Sequence, residues 1–375
     1  MDHQVYFKTE NQLINEGILS RRPEKYTREY KPKRLVLQWH ITERCNLNCL
    51  HCYQNKDSIS KELSLDVLKD IFHQYIELIK KWDITGQINL TGGEPFIRED
   101  IFELLEYLYM NKEFISFGIL SNGLLIDPYK AKELSKLGCK FVQVSLDGGK
   151  KTNDRIRGEG NFERVIKALK ILKENGIRTS ISFSASNLNY KEFPIVAEAG
   201  RKYGAQRVWA DRIIPSGNGE SLKDEIMQPY EVEEFFEIMY SCRLKQEKHE
   251  FESMSIPLQR ALNFIILHKH EPYNKINVYR CTAGDTLITI MPDGNLLPCR
   301  RMPIVVGNVL EKSIEELYYS SELFNQLRNR SLISEGCEEC KAKDKCGGGL
   351  RCLSYAFYGT PFKADPQCFL INKNL

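Results

Sequence analysis

Three cysteines fall within eight residues, in Cys45-Asn46-Leu47-Asn48-Cys49-Leu50-His51-Cys52, a C-x3-C-x2-C spacing. Thiolates this close together can hold three irons of a [4Fe–4S] cluster and leave the fourth iron open to a small molecule. The competing chemistry is a zinc site completed by His51 or another residue, although His51 sits between two of the cysteines and wraps awkwardly around one ion. Seven further cysteines gather near the other end: Cys281, Cys299, Cys337, Cys340, Cys346, Cys352 and Cys368. Cys139 and Cys242 stand alone and read as small buried hydrophobes. The first residues, MDHQVYFKTENQ, contain no apolar secretory stretch. A cytoplasmic protein with reduced thiols is therefore expected, and twelve cysteines there suggest metal or redox chemistry rather than disulfides.

Three other stretches carry polar groups suited to a ligand. Thr91-Gly92-Gly93-Glu94-Pro95 pairs glycines, which let backbone approach a ligand closely, with a carboxylate that can accept hydrogen bonds from an ammonium. Ser121-Asn122-Gly123 and Ser145-Leu146-Asp147-Gly148 are each ordinary turns in isolation.

The elements that position these groups follow a βα rhythm. Apolar, β-rich runs occur at 34–41, 87–90, 115–120, 141–146, 178–184 and 206–214. Helical periodicity fills 64–81, 99–111, 128–137, 161–175 and 190–203, with Ser64 as an N-cap and Gly138 and Gly176 as stop signals. Six such units predict a parallel sheet, either a partial (β/α)6 barrel of TIM type or a doubly wound open sheet. The cysteine loop and both serine turns then lie at C-terminal strand ends, where barrel sites are assembled. Residues 218–274 read as a helical connector, with helices at 229–245 and 256–268. A hairpin at 286–299 turns at Pro292-Asp293-Gly294, and helices are predicted at 313–319 and 320–329. The Cys- and Gly-rich stretch 335–368 has little periodicity and needs a metal staple.

With these motifs in place, the chain resembles the radical S-adenosylmethionine (SAM) superfamily, whose motif is C-x3-C-x-φ-C with φ usually aromatic; His51 fills φ here. The resemblance implies that Cys45, Cys49 and Cys52 hold a catalytic [4Fe–4S] cluster whose open iron chelates the amino and carboxylate groups of SAM. Reductive cleavage then gives methionine and a 5′-deoxyadenosyl radical, which abstracts hydrogen from substrate. The family's roles pass to Gly92, Gly93 and Glu94 for the SAM amino group, and to Ser145 and Arg157 for ribose and carboxylate contacts. Ile214-Pro215-Ser216-Gly217 resembles a further family loop near SAM. The second cysteine set resembles the SPASM extension, which holds auxiliary iron–sulfur clusters. By correspondence Cys337, Cys340, Cys346 and Cys368 form the cluster distal to SAM, and Cys281 and Cys299 belong to the nearer one. The pattern expects a cysteine at 350; this chain has Leu350, and Cys352 two residues later is the replacement ligand. One or two auxiliary clusters are implied. The expected organisation is an N-terminal extension (1–33), a radical SAM partial barrel (34–217), the connector (218–274) and a small iron–sulfur-stapled α+β domain (275–375).

Composition narrows the partners. Hydrophobic residues at 42% and charged residues at 27% exclude a disordered or fibrous chain. A net charge of +3 is too balanced for general nucleic-acid or membrane attraction. The basic stretch of Arg21, Arg22, Lys25, Arg28, Lys31, Lys33 and Arg34 reads as a solvated entry segment. An oxidoreductase that activates C–H bonds is expected, with a low-potential electron donor such as a ferredoxin or flavodoxin. A ribosomally made peptide is the favoured substrate, served by a separate peptide-recognition protein. The alternative is a small-molecule cofactor such as a haem precursor. A non-enzymatic electron carrier or a zinc-stapled interaction protein is the reading from another class, and it predicts no SAM cleavage.

Overall fold

The computed structural model describes residues 8–19, 30–54, 62–247, 254–270 and 278–371. Its centre is a nine-stranded sheet. A short N-terminal strand β1 (Lys8–Thr9) and helix α1 (Glu10–Asn15) precede it. The sheet then runs through β2 (Arg34–His40), β3 (Thr85–Thr91), β4 (Ile115–Ser121), β5 (Val142–Ser145), β6 (Thr179–Ala185) and β7 (Arg207–Arg212). Between these strands lie α2 (Leu65–Trp82), α3 (Ile101–Tyr109), α4 (Pro128–Lys136), α5 (Lys150–Arg157), α6 (Asn161–Glu174) and α7 (Phe193–Tyr203). The six strands are parallel and lie side by side in sequence order. A doubly wound sheet must reverse direction at a switch point; an unbroken order has none, so this is a partial (β/α)6 barrel.

Strand alternation separates two environments. Leu35, Leu37, Trp39, Ile88, Leu90, Ile181 and Phe183 are fully buried in the core that also takes the apolar stripes of α2, α3 and α6. Helix α2 shows why such a stripe docks: Leu68, Ile71, Phe72, Tyr75, Ile76 and Ile79 recur on one face. Ser64 caps its first turn through Val67 N–H, and Asp83 closes it in the left-handed conformation at φ 54°. The opposite strand face carries Gln38, His40, Gln87, Asn89, Gln143, Ser180, Ser182 and Ser184. The barrel is therefore polar inside.

Helices α8 (Pro229–Glu247) and α9 (Phe264–His270) form the connector. The second is shorter than the predicted 256–268, because the chain before it runs through an irregular segment and a single 3-10 turn at Ala261–Asn263. The predicted hairpin is β8 (Leu287–Ile290) with β9 (Asn295–Leu297). Strand β8 pairs in parallel with β2, so the C-terminal region extends the barrel sheet. Two short strands, β10 (Ile304–Val305) and β11 (Gly307–Asn308), follow. Helices α10 (Ile314–Ser320), α11 (Glu322–Arg328), α12 (Lys343–Cys346) and α13 (Arg351–Tyr358) complete the chain. The last two lie within the stretch expected to lack periodicity.

Lys31, Lys33 and Arg34 of the N-terminal basic stretch are exposed. Residues 8–19 dock on the C-terminal region: β1 pairs with β10, and Leu13 and Leu19 are buried beside Met302, Ile304 and Leu323. Arg21, Arg22, Lys25 and Arg28 lie outside the described residues. No helix among the described residues is long and apolar enough to cross a membrane.

Candidate active site

The cysteine loop leaves the C-terminal end of β2 and is clamped from three sides. Gly93 N–H donates to Thr42 O at 2.9 Å, and Glu94 N–H donates to Arg44 O at 2.8 Å. Leu50 N–H donates to the Ile156 carbonyl of α5 at 3.0 Å, and Gly219 N–H donates to Cys52 O at 2.9 Å. The loop's shape is thus imposed by the β3 end, helix α5 and the segment around Gly219, as an eight-residue polar stretch could not hold it alone.

The paired glycines serve this clamp. A Cβ on Gly92 would sit 2.2 Å from Thr42 O, and one on Gly93 would sit 2.2 Å from Arg44 O. The close approach they permit is to the cysteine-loop backbone, while both still line the chamber. Gly93→Ala is expected to force the two loops apart at a cost of about 2 kcal/mol or more. Thermal unfolding and iron bound per chain after reconstitution measure it; wild-type values for both would refute the clamp.

Glu94 is fully buried. Its carboxylate accepts from Ser121 Oγ at 2.9 Å, Asn122 N–H at 2.8 Å and Phe96 N–H at 3.2 Å. Burial pushes this carboxyl up to about 7, although all three donors favour its charged form. Glu94 fixes the Ser121-Asn122 turn and does not line the chamber. Asn122 in turn reaches the cysteine loop, with Nδ2 2.7 Å from Asn46 Oδ1 and 3.8 Å from Cys45 Sγ.

On the other side stands a buried trio. Asp147 Oδ2 accepts from Arg157 Nε at 2.6 Å and lies 2.9 Å from His51 Nε2. Arg157 NH1 lies 3.8 Å from Cys49 Sγ. Burial alone would raise the Asp147 carboxyl, yet Arg157 and His51 hold it down at about 2. His51 Nε2 is therefore turned toward Asp147. Ser145 lines the chamber together with Gln143 and Arg157. The loop from Ile214 to Gly217 packs on the end of the cysteine loop: a Cβ on Gly217 would meet Tyr53 O at 2.5 Å.

The donor set fits an iron–sulfur cluster. The three thiols line one chamber, with Asn122 and Arg157 supplying N–H groups to two sulfurs. Burial first, then the neighbouring Cys49 and Cys45, push the Cys52 thiol up to about 11, so iron must displace its proton. Among the described residues no three His, Cys, Asp or Glu side chains gather closely enough for a single metal ion.

The chamber's far wall comes from the C-terminal region, which sequence reasoning missed. Arg300 and Arg301 directly follow Cys299, and that juxtaposition was the available signal. Arg301 pairs with Asp211 and donates to Arg212 O. Arg212 pairs with Asp365 at 2.6 Å. Arg300 has Thr91 Oγ1 at 3.4 Å and the Tyr53 ring at 5.6 Å. His40, fully buried beneath them, is pushed down to about 3 by burial and by Arg300.

The second cysteine set divides as two groups. Cys352 lies within electrostatic reach of Cys299 and Cys281, with Arg301 beside it. Cys337 is similarly close to Cys368 and Cys340, and Cys346 to Cys368 and Cys337. Leu350 is buried among Leu13, Met302, Ile304 and Leu353. The preceding Gly347, Gly348 and Gly349 all have positive φ, at 65°, 88° and 79°. A Cβ on Gly348 would lie 2.0 Å from Ser334 Oγ, so this loop is packed in place and delivers Cys352, not residue 350, toward Cys281 and Cys299.

Comparison with known proteins follows the same division. The family model for the radical SAM superfamily matches residues 39–198, and the model for an iron–sulfur cluster-binding domain, SPASM, matches 281–342. The chain is similar to an Fe-coproporphyrin III synthase of Methanosarcina barkeri, 27% identical over 92% of this chain and 90% of the relative. It is also similar to the mycofactocin maturase MftC of Mycolicibacterium smegmatis, 28% identical over 89% of this chain and 82% of the relative. Among solved structures, Streptococcus suis SuiB bound to S-adenosylmethionine superposes with TM-score 0.69 at 20% identity, covering 96% of this chain and 80% of that one. Native anSMEcpe with bound AdoMet gives TM-score 0.70 at 19% identity, covering 90% of this chain and 94% of that one. These two share the fold.

Proposed function

The chain is a radical SAM enzyme with a C-terminal SPASM iron–sulfur domain, and from that premise we propose that it takes a hydrogen atom from a carboxylate-bearing small molecule held on the Arg300 side of the chamber. When bound, the cluster supplies the electron that cleaves SAM to methionine and a 5′-deoxyadenosyl radical. Cys45, Cys49 and Cys52 would hold it. Asn122 and Arg157 would donate to its sulfurs and so tune it. Gly92, Gly93 and Ser145 line the side on which SAM would lie.

Arg300 carries the substrate reading. The other chamber guanidiniums each have a carboxylate: Arg157 has Asp147, Arg212 has Asp365 and Arg301 has Asp211. Among the described residues Arg300 has a hydroxyl and a ring and no carboxylate, so its fork is available to a ligand carboxylate. The Fe-coproporphyrin III synthase relative is named for a small molecule of this kind. A ribosomally made peptide is the second reading, favoured by the maturase relative at 28% identity.

The test is anaerobic incubation of reconstituted enzyme with SAM, a chemical reductant and either carboxylate-bearing porphyrins, iron-coproporphyrin III and its precursors among them, or peptides encoded beside the gene, with 5′-deoxyadenosine measured by chromatography. Stimulation by a porphyrin, lost in Arg300→Gln, supports the first reading. Stimulation by a peptide alone replaces it with the second.

For the nearer auxiliary cluster we assign Cys281, Cys299 and Cys352 as ligands, leaving one iron without a cysteine. Cys352→Ala is expected to lower iron and labile sulfide by one cluster while SAM binding persists. Unchanged iron content would remove Cys352 from the ligand set.

A further inference from the structure

The barrel's polar interior does not end at the chamber. Beyond it, toward the N-terminal ends of the strands, lies a second cavity that shares Leu120, Gln143, Trp209 and Arg300 with the first. Between them Trp209 Nε1 on β7 donates to Gln143 Oε1 on β5 at 2.9 Å, over the intervening β6. Five arginines and one lysine line the second cavity: Arg34, Lys140, Arg178, Arg207, Arg260 and Arg300. No Asp or Glu side chain lines it among the described residues.

Local pairing leaves much of this charge uncompensated. Arg34 donates to Gln87, and Arg260 reaches Asp211 at 3.5 Å. Lys140, Arg178 and Arg207 have no carboxylate partner among the described residues. These three stand at the starts of the adjacent strands β5, β6 and β7, so they follow one another at roughly the 4.8 Å strand spacing. Arg207 is exposed at this mouth, and the like charge of Arg260 stands near it. Two polar atoms facing the cavity are also unpartnered: Ser180 Oγ, on a residue 7% exposed, and Gln38 Oε1. A lysine and two arginines in a row, with no acid beside them among the described residues and a buried unpartnered hydroxyl below, have the chemistry to hold an anion.

We propose that this N-terminal mouth of the barrel binds a small polycarboxylate, with separate carboxylates on Lys140, Arg178 and Arg207 and Ser180 donating from below. Several carboxylates on one frame match cations spread over three strands better than a single compact phosphate does. The site lies at the opposite strand ends from the cysteine loop and does not depend on the substrate reading above; SAM cleavage without added substrate should be unchanged when it is disabled.

The probe is butane-1,2,3,4-tetracarboxylate, titrated calorimetrically into reconstituted holoenzyme at low salt. One equivalent is expected to bind, and Arg178→Gln with Arg207→Gln is expected to weaken it about tenfold or more. Arg178→Lys with Arg207→Lys should recover part of the loss. Lys132→Gln with Lys167→Gln, an equal charge change on α4 and α6, should have no effect. In unmutated enzyme, the probe should protect Arg178 and Arg207 from phenylglyoxal, read by peptide mapping, which needs no variant to fold. Absence of binding, equal weakening by the two lysine changes, or absence of protection would overturn the proposal. Tighter binding of inorganic phosphate than of the tetracarboxylate would overturn the polycarboxylate assignment.

Discussion

Replacing Cys45, Cys49 and Cys52 together by alanine is expected to abolish 5′-deoxyadenosine formation. Each thiol is irreplaceable, because a cluster that loses its ligands loses both its electron and its grip on SAM. The three sit on a single loop clamped by Gly93, Glu94, Leu50 and Gly219 backbone bonds, so the variant should keep its fold. The C-terminal cysteines are separate, and the iron bound there should remain. Chromatography for 5′-deoxyadenosine, paired with iron counting and far-ultraviolet circular dichroism, reads all three. Product formation at wild-type level from a folded variant would place the chemistry elsewhere.

Asp147→Asn has the next largest expected effect. The substitution keeps the side chain's volume and removes the charge facing Arg157 and His51. It leaves a buried guanidinium with no acid, a situation that typically costs about 3–5 kcal/mol. Urea unfolding should show that loss, and the calorimetric Kd for SAM should rise because Arg157 is no longer held beside Cys49. The same pair predicts an acid limb. The Asp147 carboxyl titrates at about 2 when folded against 3.8 ordinarily, so its stabilisation is fully present above pH 3.8. It is lost as pH falls through about 2, and amounts to about 2 kcal/mol. Asp147→Asn should lack this part of the acid dependence. An unchanged urea midpoint at pH 7 would show that Arg157 finds another partner.

The βα rhythm was legible because each strand pairs an apolar outer face with a following amphipathic helix. All six strands and the helices of 64–81, 128–137 and 161–175 lie close to where periodicity puts them. The short α5 escaped, since KKTNDRIR has almost no apolar stripe. It folds because Asn153 and Asp154 bond neighbouring backbone and side chains, and it is the element that carries Arg157. Residues 8–19 offer a similarly sparse apolar pattern. Leu13 and Leu19, with the β1–β10 pairing, dock them once a surface exists to receive them.

Along the chain alone, the cysteine spacings and the parallel βα order could be read, and SAM followed from the resemblance those motifs carry to the radical SAM superfamily. Those depend on residue type and local period, which are one-dimensional. Tertiary structure decided the partners. Only folding showed that Gly92 and Gly93 accommodate the cysteine loop, and that Glu94 braces Asn122 rather than lining the chamber. Folding also turned Cys352, not residue 350, toward Cys281 and Cys299. Arg300 and Asp147 acquired their partners, Thr91 and Tyr53 for one and Arg157 and His51 for the other, only in the fold. Their importance comes from desolvation and proximity to groups far away in sequence, and these arise only when the chain closes on itself.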